Sequence, residues 1–144
     1  MKSTQVLSLK NLSKRFGSVV ANNSVNIELY RGEVLSLLGE NGAGKTTLMN
    51  MLFGHYLPDS GSIDVLGNDG QMRKLVLGHP QASLDAGIGM VHQHFALAEN
   101  LTVLENILLG SEKLWAWRHD RNKARNKILK IIDRTGLSLS LIHI

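Results

Sequence analysis

The 144 residues include no cysteine, which excludes disulfides and thiolate metal sites and fits a reducing compartment such as the cytosol. Proline occurs only twice and no low-complexity stretch is present, so the composition gives no reason to expect disorder. No apolar run approaches the roughly eighteen residues of a helical membrane span, and the N-terminal MKSTQVLSLK lacks the apolar core of a signal peptide. The chain itself is therefore expected to stay out of the bilayer. Charge of one sign is also scarce: 16 Lys and Arg oppose 12 Asp and Glu, and much of the excess sits in one late segment. A net +4 admits an acidic partner without selecting one. What the chain does have is length for one modest domain with a real core.

Val25, Ile27 and Leu29 alternate with Asn26, Glu28 and Tyr30, the period of a half-buried strand, and Arg31 and Gly32 follow as a turn. Residues 34–38 are nearly continuous in apolar side chains and are expected to form a central strand covered on both faces of a mostly parallel sheet. Leu7 and Leu9 suggest an earlier antiparallel edge strand. Residues 45–53 read as a helix packing Leu48, Met49, Met51 and Leu52 on the sheet and closed by Gly54. The turns PDSG (58–61) and GNDG (67–70) flank a strand that starts with Ile63 and Val65. Pro80 can open a short helix that Gly87 ends, after which residues 88–91 are expected to return as a buried strand.

Beyond residue 93 the pattern turns helical. Thr102 and Glu105 form a capping box before a helix that Gly110 closes. A longer helix is expected over about residues 118–135, with Ala124, Ile128, Ile131 and Ile132 on one face. Arg121, Lys123, Arg125, Lys127, Lys130 and Arg134 spread over the rest. Such a helix can touch nucleic acid, but the interspersed Asp120 and Asp133 and the apolar face favour a solvated helix of a globular domain.

The chemistry concentrates in LLGENGAGKTTLM. Gly39, Gly44, Lys45 and Thr46 satisfy G-x-x-x-x-G-K-[ST], between an apolar run and a helix, as a phosphate-binding P-loop requires. Glycines let backbone N–H groups converge on phosphate oxygens, and the helix opening at Lys45 adds its positive end. Gly39, Glu40, Asn41, Gly42, Ala43 and Gly44 would supply that cradle. Lys45 is expected on the β and γ phosphates, Thr46 on Mg²⁺, and Thr47 near the α phosphate, which makes the ligand class nucleoside triphosphate. His92 and His94 flank Gln93 at spacing for a shared metal, but no third ligand is evident and metal binding there is not expected.

At these residues the chain resembles the nucleotide-binding subunit of ATP-binding cassette (ABC) transporters, from about Val6 to Gly136. The resemblance implies a P-loop α/β fold of ABC type, with an antiparallel edge sheet and the start of a helical subdomain. It implies that Phe16, 29 residues before Lys45, stacks on adenine; without it, Phe16 is a loop or core phenylalanine. It implies that Gln93, in GIGMVHQHFAL, completes the Mg²⁺ and water site and relays nucleotide state to the membrane partner; without it, Gln93 is a polar loop residue. Lys45 and Gln93 are thus the implied catalytic residues, and Thr46 and Gln93 the implied metal contacts. The wording of GIGMVHQHF and LTVLENILLG is most similar to ATP-binding proteins of sugar and nucleoside importers. That subtype implies ATP and Mg²⁺ as cofactors, membrane permease subunits and a second cassette as partners, no direct nucleic acid, and a place on the cytoplasmic face of the membrane.

The sequence also departs from the family. Water attack on a phosphate needs a second carboxylate on Mg²⁺ and one that orients the water. No apolar run ending in Asp-Glu follows the P-loop; Asp64 and Asp85 lack the apolar approach. The family's Ser-Gly-Gly signature and switch histidine are missing after Gln93. Residues 138–144, SLSLIHI, break the resemblance, so the expectation is an N-terminal fragment. Residues 1–93 would be the first part of the ATPase core, 94–137 the start of the helical subdomain, and 138–144 an atypical tail from a truncated or misread frame. Two alternatives stand beside importer ATPase: a soluble ABC ATPase acting on nucleic acid or ribosomes, and a non-catalytic nucleotide-binding fragment.

Overall fold

The computed structural model describes residues 4–92, 97–109 and 121–136, which fall in two compact units, residues 1–91 and 92–144. In the first unit, β1 (Gln5–Phe16) and β2 (Val19–Tyr30) form a long antiparallel hairpin. Its two-residue turn places Gly17 at φ 60°, where a glycine lets the turn follow the twist of its strands. On the other side of β1 lies β3 (Ser60–Leu66), which pairs with β4 (Met72–Lys74) across the GNDG turn, giving the antiparallel order β2-β1-β3-β4. The first strand is therefore interior, not an edge as Leu7 and Leu9 alone suggest. Pairing on both sides buries Leu9 and Leu12 at 2% and 0% exposure.

The hairpin carries matched irregularities at Asn11 and Ser24, both with positive φ. Side chains replace the interrupted ladder there: Asn26 Oδ1 accepts from the Asn11 backbone N–H at 2.9 Å, and Ser13 Oγ accepts from that of Ser24 at 2.8 Å. Farther along, Asp59 of the PDSG turn accepts from Lys14 Nζ at 2.9 Å and the Arg15 N–H at 2.7 Å. The hydrogen bond from Lys14 holds the Asp59 carboxyl below its usual range, aided by the Arg15 N–H. This clamp ties the turn to the hairpin.

Helix α1 (Lys45–Phe53) has the bounds its sequence predicts. Leu48 and Met51 bury against Leu9, Leu12, Ile63, Val65 and Leu75, while Met49 and Leu52 pack at the margin. Gly54 closes the helix at φ 91°, its N–H bonding the Asn50 and Met51 carbonyls, and a Cβ there would sit 2.7 Å from the His79 carbonyl carbon. Helix α2 (Pro80–Asp85) opens on Pro80 and is fastened to α1 by the fully buried Ser83, whose Oγ donates to the Leu52 carbonyl at 3.1 Å.

Two expected strands are not strands. Residues 34–38 have no strand pairing, leaving Val34 93% and Leu38 89% exposed, and residues 88–91 likewise leave Val91 83% exposed. An apolar run records a preference for burial, but a central strand also needs hydrogen-bonded neighbours. Every described strand belongs instead to the antiparallel sheet.

In the second unit, α3 (Val103–Leu109) begins with the expected capping box: the Thr102 N–H donates to Glu105 Oε2 at 3.0 Å and the Glu105 N–H to Thr102 Oγ1 at 3.3 Å. The Asn106 side chain adds a clamp that the sequence does not advertise, accepting from the Ala98 N–H at 2.9 Å and donating to the Ala98, Leu101 and Thr102 carbonyls, each at 3.1 Å. Helix α4 (Arg121–Thr135) ends at Gly136, φ 67°. The expected closing Gly110 and residues 118–120 lie outside the described residues.

Candidate functional site: the loop before helix α1

The loop at residues 39–44 leads straight into α1, and its conformation follows from its glycines. Gly42 and Gly44 take φ 87° and 86°, and the Ala43 N–H donates to the Glu40 carbonyl at 3.2 Å, folding the loop on itself. Gly44 is doubly required. A Cβ there would fall 2.1 Å from the Ala21 carbonyl oxygen of β2, so the loop approaches the sheet at backbone distance. Gly42 has no atom within 4 Å of where a Cβ would lie.

Lys45, the first residue of α1, turns its side chain back across the loop. Its Nζ donates to the Gly39 and Glu40 carbonyls at 2.6 and 2.7 Å. The first helical hydrogen bond runs from the Leu48 N–H to the Gly44 carbonyl at 2.9 Å. The N–H groups of Lys45, Thr46 and Thr47 precede it and stand at the positive end of the helix. Thr46 is exposed and Thr47 half-buried. A lysine cation, helix-start donors and open glycine backbone thus come together within the nine residues from Gly39 to Thr47, an arrangement suited to a polyanion.

One residue of this neighbourhood escapes sequence reasoning. Asn22 of β2 is buried, and its Nδ2 reaches the Gly44 carbonyl at 3.4 Å. In the sequence it is simply an asparagine inside a strand, and no spacing marks it.

The structure gathers Gly39 to Thr47 but does not join Phe16 to them. Phe16 ends β1, half exposed, in an edge-to-face contact with Tyr56 at 5.5 Å between ring centres and with Lys14 Nζ 5.5 Å from its ring. No motif or spacing in the sequence marks Tyr56. Gln93 and His94 lie outside the described residues, and among the described residues no group of three His, Asp or Glu is placed to hold a metal. A cleft of about 550 Å³ lies between β3 and residues 86–89, and one of about 760 Å³ between β3 and α2; no residue of the loop lines either.

The chain also matches known proteins. It is 46% identical over 134 residues to the guanosine import ATP-binding protein NupO of Bacillus subtilis (strain 168), covering 93% of this chain and 25% of the relative. It is 46% identical over 140 residues to the nucleoside import ATP-binding protein NupA of Lactococcus lactis subsp. cremoris, covering 96% and 26%. The ribose import ATP-binding protein RbsA 2 of Escherichia coli O157:H7 is 42% identical over 136 residues, at 94% and 26%. The chain therefore spans about a quarter of the length of these curated relatives. Among solved structures, the ADP conformation of an ATP-binding cassette of an ABC transporter superposes with a TM-score of 0.71 at 26% identity, covering 92% of this chain and 56% of that one. A nucleotide-free cassette from an ABC transporter gives 0.69 at 27%, with the same coverage. The family model for ABC transporter matches residues 22–141. With its P-loop at the start of α1 and its antiparallel sheet beside it, this chain belongs to the ABC transporter family.

Proposed function

We propose that this chain is the ATP-binding part of a nucleotide-binding subunit that serves the import of a small solute, a nucleoside or a sugar. The observation that carries the reading is the Lys45 ammonium folded over the loop carbonyls at the start of α1. The names of the relatives, all import ATP-binding proteins, support the transport class.

In this reading the backbone from Glu40 to Gly44 cradles the phosphates and Lys45 swings from the loop carbonyls to the β and γ oxygens. The openness of the loop at Gly42 and the absence of a Cβ at Gly44 fit that role. Thr46, an exposed residue, is the donor this chain offers to Mg²⁺, and Gln93 is assigned the second contact. Bound Mg²⁺ would neutralise charge on the phosphate oxygens. Thr47 sits by the α phosphate, and Phe16, half exposed at the end of β1, takes the base. Residues 1–93 serve as the first part of the ATPase core and 94–137 as the start of the helical subdomain that meets the permease. The whole protein would work beside a second cassette at the cytoplasmic face of the membrane, where ATP hydrolysis drives transport. This chain alone binds the nucleotide without turning it over.

Titrating the chain with AMP, ADP and ATP in Mg²⁺ tests the reading. Affinity should rise at each added phosphate, by roughly ten-fold per step, because each adds charge-assisted hydrogen bonds of about 1.5–3 kcal/mol. Equal affinities for the three nucleotides would place the binding energy on the base and sink the assignment.

A further inference from the structure

Helix α4 concentrates the positive charge of the chain. Between Arg121 and Thr135 six Lys and Arg face one carboxylate, Asp133, a local net charge of +5 where the whole chain nets +4. The rest of the molecule is close to neutral, so the chain's cationic character lies in this helix. Arg125, Lys127, Lys130 and Arg134 are all exposed, and none of the four is in an ion pair among the described residues. Lys127, Lys130 and Arg134 follow at spacings of three and four, so they share one stripe of the helix.

A second feature accompanies the charge. Ile131 falls beside that stripe, within one turn of Lys127, Lys130 and Arg134, and is 49% exposed. No described side chain of α4 is buried, and Ile128, Leu129 and Ile132 are only half-buried. Among the described residues, α4 thus sets an open aliphatic side chain next to cations that have no ion-pair partner.

We propose that α4 docks the chain on an anionic lipid surface, with Lys127, Lys130 and Arg134 on the headgroups and Ile131 in the interfacial layer. Charge complementarity sets the occupant. Each cation held near an anionic leaflet raises partitioning by about five-fold, and an exposed aliphatic side chain gains further by entering the interface. Nucleic acid fits less well: α4 has no aromatic residue for base stacking, and Ile131 gains nothing against phosphodiesters. The contact needs no nucleotide, so it stands or falls independently of the ATP-binding reading.

The test is co-sedimentation of the full chain, without nucleotide, with phosphatidylcholine vesicles with and without phosphatidylglycerol. Binding is expected only to the anionic vesicles, strong at low salt and lost as the screening length falls to about 3 Å near 1 M. K127Q/K130Q/R134Q should cut partitioning by roughly a hundred-fold while Lys74→Gln, an exposed cation on β4, leaves it within about two-fold. The salt dependence of the unmodified chain keeps the test valid if the triple variant misfolds. Equal binding to both vesicle types, no binding to either, or retention on duplex DNA without retention on anionic vesicles would overturn the proposal.

Discussion

Lys45→Ala lowers the affinity of the chain for Mg-ATP by ten- to a hundred-fold while leaving its thermal midpoint nearly unchanged. The first half follows from the bonds the ammonium makes. It already holds two carbonyl oxygens, Gly39 at 2.6 Å and Glu40 at 2.7 Å, so its reach covers the centre of the loop. A phosphate oxygen taking their place carries full negative charge, and a hydrogen bond between charged groups is worth about 1.5–3 kcal/mol, or ten- to a hundred-fold. The second half follows from exposure. Gly39 and Glu40 lie in contact with solvent, so water replaces the lost donor at little cost to folding. Calorimetric titration with Mg-ATP and thermal unfolding of the same preparations check both halves. Unchanged affinity would move the triphosphate away from this loop.

Gly44→Ala has the largest expected effect on stability, about 2–5 kcal/mol. Its φ of 86° costs a residue with a Cβ about 1–2 kcal/mol. The new Cβ would also stand 2.1 Å from the Ala21 carbonyl oxygen, with Asn22 Nδ2 at 3.0 Å, so either β2 or the start of α1 must give way. Overpacking of that kind adds about 1–3 kcal/mol. The upper end of the total reaches the whole stability of a marginal domain, about 5 kcal/mol. Gly42→Ala is the internal comparison, because its φ of 87° is the same and its surroundings are open. It should lose only the backbone part, about 1–2 kcal/mol. Chemical denaturation of the two variants separates them, and equal losses would show that the contact with Ala21 does not matter.

How far the sequence foretold this structure depends on whether a feature is local. Helix α1 ends where Gly54 says it should, and the Thr102–Glu105 box forms as written, because capping is decided within four residues. The P-loop was legible for the same reason, since its glycines and lysine act on their own backbone. Strand neighbours are not local. The alternation of Leu7 and Leu9 marks a strand but carries no sign that β3 will pair on its far side and make it interior. Residues 34–38 read as doubly buried, yet burial requires flanking strands that no property of the run can supply. Asn22 and Tyr56 became visible only through their contacts, with the Gly44 carbonyl and with Phe16. Gln93, though legible as part of a resemblance, lies outside the described residues.

In the proposed function, the loop at residues 39–44 holds a triphosphate that this chain does not hydrolyse. Both parts are read from one sample by equilibrium dialysis of the chain against ATP labelled at the γ phosphate, followed by counting released phosphate in the same chamber. The label should accumulate with the protein and remain as ATP, with phosphate no higher than in a protein-free control. Steady phosphate release that disappears in Lys45→Ala, or no retention of label by the folded chain, would contradict it.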